Sequence, residues 1–172
     1  MKGTIVKCME ELVTKKFGAA KWKESLKNAG LPEARYFSIT EDVAEAEILA
    51  IMKGIAGAAS LSMEQVMEAF GEYWSSVYAP DLYAVYFGKA KSTRELLLNL
   101  DQIHVAMTKS MKSAQPPRFR YEWKGDNDLV MHYDSNRGLV ALMPGLIRGL
   151  GKYYKDAPQV KVHGNAVQVH FQ

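Results

Sequence analysis

Apolar residues along the first two-thirds of the chain recur mostly every three or four positions. Ile5, Val6, Met9, Leu12 and Val13 define one helical face with charges opposite. Phe17-Gly18 closes that run, and a second short helix follows through Trp22, Leu26 and Ala29 up to Gly30-Leu31-Pro32. Thr40-Glu41-Asp42 reads as a hydroxyl cap with acids in a first turn, opening a helix through Val43, Ala46, Ile48, Leu49 and Met52. Ser62 and Gln65 form a capping box ahead of Val66, Ala69, Phe70 and Tyr73, and Ala79-Pro80-Asp81 reads as a break. Ser92-Thr93-Arg94-Glu95 opens a further helix carrying Leu96, Leu97, Leu98, Leu100, Ile103 and Met107, which Gln115-Pro116-Pro117 ends. Beyond Pro117 the period changes. Residues 119–123 and 129–133 read as strands around Asp126-Asn127-Asp128, residues 138–154 as a helix, and residues 159–163 and 166–171 as a terminal hairpin about Gly164-Asn165.

Helices first, then strands with an inserted helix, predict an α+β fold: an N-terminal helical subdomain followed by a C-terminal four-stranded antiparallel sheet. The length, 172 residues, suits a single domain over 1–172 with enough core to fold without a staple. One cysteine, Cys8, excludes an internal disulfide or a multi-cysteine zinc site, and it reads as a small core residue. The net charge of +3 comes without a basic stripe, so nucleic acid is not an expected partner. Charges early in the chain exclude a signal peptide, and the longest apolar stretches are too short for a membrane span, so a cytoplasmic protein is expected.

Two features carry candidate chemistry. Leu97, Leu100, Met107 and Met111 lie at −7, −4, +3 and +7 from His104, which places the imidazole on an apolar helical stripe. Such a ring either pairs with a neighbour in the core or ligates a metal, as an axial histidine does for haem iron. Further along, alternation in extended chain aligns Tyr133, Ser135 and Arg137, a phenol, a hydroxyl and a guanidinium suited to a carboxylate. An ordinary strand end with an exposed arginine gives the same pattern.

Both features fall within a longer pattern. Met1-Lys2-Gly3-Thr4-Ile5-Val6, Phe70-Gly71-Glu72-Tyr73-Trp74, Leu100-Asp101-Gln102-Ile103-His104, Pro116-Pro117, Tyr133-x-Ser135-x-Arg137 and Gly145-Leu146-Ile147-x-Gly149 occur in that order. In this the chain resembles the H-NOX family, the haem–nitric oxide/oxygen binding domains related to the haem domain of soluble guanylate cyclase. The resemblance implies haem b (iron protoporphyrin IX) buried between the helical part and the sheet, with His104 as proximal iron ligand. It further implies that Tyr133, Ser135 and Arg137 hold the propionates and that Pro117 presses on the haem. Ile5, Met9, Trp74, Leu142 and Leu146 are implied to line the pocket.

Oxygen-binding members carry a distal tyrosine nine residues after the motif tyrosine, and that position here is Leu142. A bound oxygen needs a buried donor, whereas nitric oxide and carbon monoxide need much less. The expectation is therefore a stand-alone sensor of nitric oxide and CO that excludes oxygen. It signals through weakening or cleavage of the iron–His104 bond to a separate partner such as a histidine kinase or a cyclic-di-GMP enzyme. Pro144 inside the predicted distal helix is expected to kink it and to shift Leu142, and Tyr73, Tyr83 and Tyr86 are further phenols that could reach the pocket. An enzyme is not expected, because the implied distal positions lack an acid–base residue for peroxidase chemistry. The rival readings are an oxygen sensor or carrier, a pocket protein for another acidic apolar ligand, and a haem-free module with His104 in its core.

Overall fold

The computed structural model describes residues 1–110 and 115–172. The chain divides into two compact units, Met1–Phe70 and Gly71–Gln172.

In the first unit, α1 (Thr4–Phe17), α2 (Ala19–Asn28) and α3 (Glu45–Ala59) are followed by the start of α4 (Met63–Tyr73). The predicted face of α1 is the buried one, with Val6, Met9, Leu12 and Val13 in the core beside Cys8. Each aliphatic chain buried this way contributes about 1.5–3 kcal/mol. Gly18, at φ +89°, turns the chain out of α1 while its N–H still reaches the Thr14 carbonyl at 3.0 Å. Helices α2 and α3 meet at Gly54, where a Cβ would run into the Ser25 carbonyl and lie 3.1 Å from the Ala29 nitrogen. The Ser62–Gln65 capping box forms in both directions: Ser62 N–H donates to Gln65 Oε1 at 2.8 Å, and Gln65 N–H to Ser62 Oγ at 3.1 Å.

The Thr40-Glu41-Asp42 start signal does not open a helix. Asp42 forms a β-bridge with Lys2, and the Gly3 and Thr4 N–H groups donate to the Glu41 and Ile39 carbonyls at 2.8 and 3.1 Å. That strap holds residues 39–43 against the N-terminal segment, so α3 begins at Glu45, with Glu45 and Glu47 as its first-turn acids.

The second unit begins in the last turn of α4 and continues through a π-helical turn, Trp74–Tyr78, into α5 (Ala79–Leu82) and α6 (Ala84–Lys89). Pro80 sits in the first turn of α5 instead of breaking the chain there. Helix α7 (Thr93–Ser110) leads to β1 (Arg118–Trp123) and β2 (Asp128–Asp134). A 3₁₀ turn (Val140–Leu142) and α8 (Met143–Tyr154) come next, before β3 (Gln159–His163) and β4 (Ala166–His170). The strands form one antiparallel sheet in the order β1-β2-β4-β3. Leu129, Met131 and Tyr133 alternate onto its core face with Phe119, Val167, Val169 and Phe171. Among the described residues no single helix is long and apolar enough to cross a membrane.

The widened turn at Trp74–Tyr78 has local causes. Ser75 Oγ and Ser76 Oγ donate to the Gly71 and Glu72 carbonyls at 2.9 and 2.6 Å, which competes with the helical ladder. Pro80 removes the N–H that would serve the Ser76 carbonyl. Helix α8 packs directly on this turn. Ser75 Oγ also reaches the Leu146 carbonyl at 2.6 Å, and a Cβ at Gly149 would collide with Ser75 Oγ and the Glu72 carbonyl. Pro144 occupies the first turn of α8, where its missing N–H costs nothing, so the expected kink is replaced by a helix start directly after Leu142.

Candidate functional site

Helix α7 carries the imidazole, and its start is fixed twice. Ser92 Oγ caps it by accepting from Glu95 N–H at 3.2 Å, while the Glu95 carboxylate accepts from Lys91 N–H at 2.8 Å. Asp156, just beyond α8, accepts from Thr93 N–H at 2.8 Å and from Thr93 Oγ1 at 2.5 Å. Leu96 and Leu97 then enter the core, while Leu100, Ile103, His104 and Met107 are half-buried. Met111, the last member of the predicted stripe, lies outside the described residues.

One face of α7 is joined to β1 by a seam of polar contacts. The Tyr121 hydroxyl donates to the Leu97 carbonyl at 2.8 Å and accepts from Asp101 N–H at 3.3 Å. The Arg118 Nε and Nη2 grip the Asp101 carboxylate at 2.7 Å each, and Phe119 N–H adds a third donor at 2.9 Å. These contacts hold the Asp101 pKa down at about 2, with the Arg118 hydrogen bonds as the largest cause. The guanidinium is raised in turn, first by the same hydrogen bonds.

The seam continues to His104, whose Nδ1 lies 2.8 Å from the Pro117 carbonyl. Burial of the ring lowers its pKa, outweighing the opposing effects of that carbonyl and of Asp101, so the imidazole is neutral near pH 7. A carbonyl only accepts, so the proton belongs on Nδ1. Nε2 is left with its lone pair and has no hydrogen-bond partner among the described residues. A neutral imidazole oriented through Nδ1–H by a backbone carbonyl is the usual arrangement of a metal-ligating histidine. Among the described residues no three His, Cys, Asp or Glu side chains are grouped to hold a metal ion. The chemistry here is that of one axial base. This donor set fits the iron of a haem, which brings its other four ligands with it.

The Phe119 ring lies 5.8 Å from His104 and 5.9 Å from Tyr133, edge-on to the latter, so three aromatic rings run from α7 across β1 to β2. Tyr133 points to the core face of the sheet as alternation requires. Ser135 and Arg137 do not continue the alternation, because β2 ends at Asp134. Ser135 Oγ instead accepts from Arg137 N–H at 3.3 Å, a turn that both residues share. The structure therefore puts the three predicted clamp residues at one strand end, with Ser135 and Arg137 in a turn rather than on a strand face.

Trp74 stacks on Tyr78 at 5.5 Å and packs on Tyr83 at 6.4 Å, while burial raises the Tyr83 pKa. Trp74 and Leu146 both pack against the core of the second unit. Leu142 ends the 3₁₀ turn, half-buried, with its carbonyl 2.8 Å from where a Gly71 Cβ would stand. In the first unit, Ile5 is half-buried and Met9 fully buried on α1, one turn apart. Sequence reasoning assigned no role to Asp101, Arg118, Tyr121 or Asp156. The Asp101-x-x-His104 spacing, two polar residues on one face of an apolar helix, was the one available signal.

A sequence profile of the family described as "Haem-NO-binding" matches residues 2–162. The chain belongs to this family. The chain is 29% identical over 148 residues to soluble guanylate cyclase gcy-37 of Caenorhabditis elegans, which covers 82% of this chain and 20% of that protein. It is 30% identical over 96 residues to the guanylate cyclase soluble subunit beta-2 of Rattus norvegicus, covering 55% and 14%. The chain thus spans less than a quarter of the length of these curated relatives. In fold it is similar to an H-NOX protein from S. oneidensis solved in the Fe(II)NO ligation state, with TM-score 0.89, 21% identity, and coverage of 100% of this chain and 99% of the other. It is similar also to an oxygen-binding H-NOX domain related to soluble guanylate cyclases, with TM-score 0.83, 24% identity, and coverage of 100% and 95%.

Proposed function

We propose that residues 1–172 form one haem-binding domain that senses nitric oxide and CO, excludes oxygen and passes the signal to a separate protein. The observation that carries this reading is the neutral His104 imidazole, held through Nδ1 by the Pro117 carbonyl at 2.8 Å with Nε2 available. Haem b supplies an iron at which a diatomic gas binds. His104 would hold its iron through Nε2, and Tyr133, Ser135 and Arg137 would hold its propionates. Pro117, Trp74, Leu142 and Leu146 bound it, and Ile5 and Met9 join them on the resemblance alone.

Selectivity follows from the side chains offered to the gas. Leu142 has no donor where an oxygen-binding member has a phenol, and Met9 offers only a thioether. Trp74 is engaged in stacking with Tyr78. The domain is read as a sensor rather than an enzyme, since none of these groups moves a proton near neutral pH.

The seam gives the output. Any pull or release at His104 Nε2 passes through the ring to the Pro117 carbonyl, and Asp101 and Tyr121 tie the same helix to β1. Helix α7 and β1 therefore respond together, and a partner that touches them in one state only supplies the differential contact a two-state switch needs. A histidine kinase or a cyclic-di-GMP enzyme is the expected reader.

The test is an anaerobic absorption spectrum of the haem-loaded ferrous protein, followed by oxygen and then nitric oxide. The expected result is a haem band unmoved by oxygen and shifted by nitric oxide, with haem retention lost in His104→Ala and restored in His104→Gly by imidazole. A band shifted by oxygen would move the assignment to an oxygen sensor, and a protein that takes up no haem would end it.

A further inference from the structure

The outward face of the sheet carries a feature that the haem-binding reading does not use. The strand register places Arg120, His132, Ala166 and His163 in one row across all four strands. Strands lie about 4.8 Å apart, so His132 and His163 stand roughly 10 Å apart with only the Ala166 methyl between them. The short middle residue leaves a cleft of about 460 Å³, walled by Arg120, His132, His163, Asp134 and Asn165. The cleft is open to solvent and mostly polar in its lining, which suits a charged, hydrated ligand rather than an apolar one.

We propose that this cleft binds a small phosphomonoester bearing hydroxyl groups, the chemical class of the sugar and polyol phosphates. Arg120 is exposed, carries a permanent charge, and makes no ion pair or hydrogen bond among the described residues. Its planar fork suits two oxygens of a phosphate. His163 is likewise without a partner among the described residues, and His132 lies 3.2 Å from Glu122 through Nε2. The Arg120 guanidinium and an N–H of the His163 imidazole converge donors on one anion, while the N–H of His132 is held by Glu122.

The same contacts argue against a metal ion. A guanidinium beside the cleft repels a cation, and among the described residues no three His, Cys, Asp or Glu side chains are grouped to hold a metal ion. Asp134, the acid in the wall, faces Arg118 in the register, and its charge acts on that guanidinium. With Asn165, its remaining oxygen capacity suits hydroxyl groups on the ester's organic part. A cleft wider than a bare phosphate, with acceptors as well as donors, favours the ester over the free ion.

The experiment is calorimetric titration of the haem-loaded full chain with glycerol 3-phosphate, inorganic phosphate and glycerol, with amide chemical shifts followed in parallel. Glycerol 3-phosphate is expected to bind and to shift the amides of His132, Asn165 and Ala166, with inorganic phosphate at least about tenfold weaker. Arg120→Ala and His163→Gln, both with an unaltered haem band, should each weaken binding about tenfold, as the loss of a charge-assisted or imidazole contact predicts. The amide shifts keep the test valid should either variant lose its fold. Absence of binding, equal affinity for inorganic phosphate, shifts confined to other residues, or affinity unchanged in folded Arg120→Ala would each overturn the proposal.

Discussion

Asp156 should contribute more to the helix that carries His104 than any residue within the first turn of that helix. It lies 63 positions from Thr93, yet its two oxygens take both the N–H and the hydroxyl of Thr93. Thr93 is fully buried, so neither group has water as an alternative. An unmet buried donor costs about 1–3 kcal/mol, and Asp156→Ala strands two, for an expected loss of about 3 kcal/mol. Asp156→Asn keeps one acceptor and should lose about half as much. Thr93→Val removes one donor at constant shape and should cost about 1 kcal/mol. Against a typical stability of about 5–15 kcal/mol these are large effects. In urea, with a slope of about 2 kcal/mol per molar, Asp156→Ala moves the midpoint down by about 1.5 M. The double variant should be less destabilised than the sum by about 1 kcal/mol, since the hydroxyl bond is counted in both singles. Haem content should survive, because His104 lies three turns further on. A midpoint shift in Asp156→Ala below about 0.3 M, or strict additivity, would refute the reasoning.

Other expectations rest on separate contacts. Asp101 has a pKa lowered in the folded state to about 2, so its contribution is present above its ordinary value near 4 and is lost as pH falls from about 4 towards 2. Discounted for the exposure of Arg118, that contribution is about 1 kcal/mol. Asp101→Asn should cost this much at pH 7, and a carbon-detected titration that places the wild-type Asp101 carboxyl near 4 would contradict the clamp. Gly149→Ala forces a Cβ into Ser75 and the Glu72 backbone, and overpacking of this kind should cost at least about 2 kcal/mol in a denaturant melt. Tyr121→Phe removes the hydroxyl that links Leu97 and Asp101 and should lower stability by about 1 kcal/mol. If the seam also transmits the gas signal, the same change should alter regulation of the partner without altering the haem band. Cys8 is fully buried and its thiol pKa is raised, chiefly by burial, so it should resist alkylation in the native protein and react in urea.

Much of the fold was legible because local signals and tertiary packing agreed. The apolar face of α1, both serine-led helix starts and the terminal hairpin about Gly164-Asn165 are decided within a few residues. Sequence reading failed where a distant segment competed. Thr40-Glu41-Asp42 resembles a cap, but Lys2 pairs with Asp42 and holds the segment extended. Pro80 and Pro144 read in sequence as a break and a kink, yet both stand in first turns of helices. The position of His104 on an apolar stripe was readable, but its tautomer was not, because that depends on a carbonyl 13 residues away. Likewise the Asp101–Arg118 clamp and the Arg120–His163 row exist only through pairing and register, which periodicity within one segment does not encode.

The π-helical turn at Trp74–Tyr78 holds one residue more than an α-helical turn would need. A surplus residue can be taken out without lengthening or breaking the chain on either side. Deleting Ser76 should therefore leave the downstream face close to its present phase, because the wide turn absorbs the extra residue while Pro80 still interrupts the α-helical ladder. Trp74, Tyr78 and Tyr83 should keep their places to within a fraction of a turn. The turn is thus a point at which the chain tolerates a one-codon change in length without losing its aromatic arrangement.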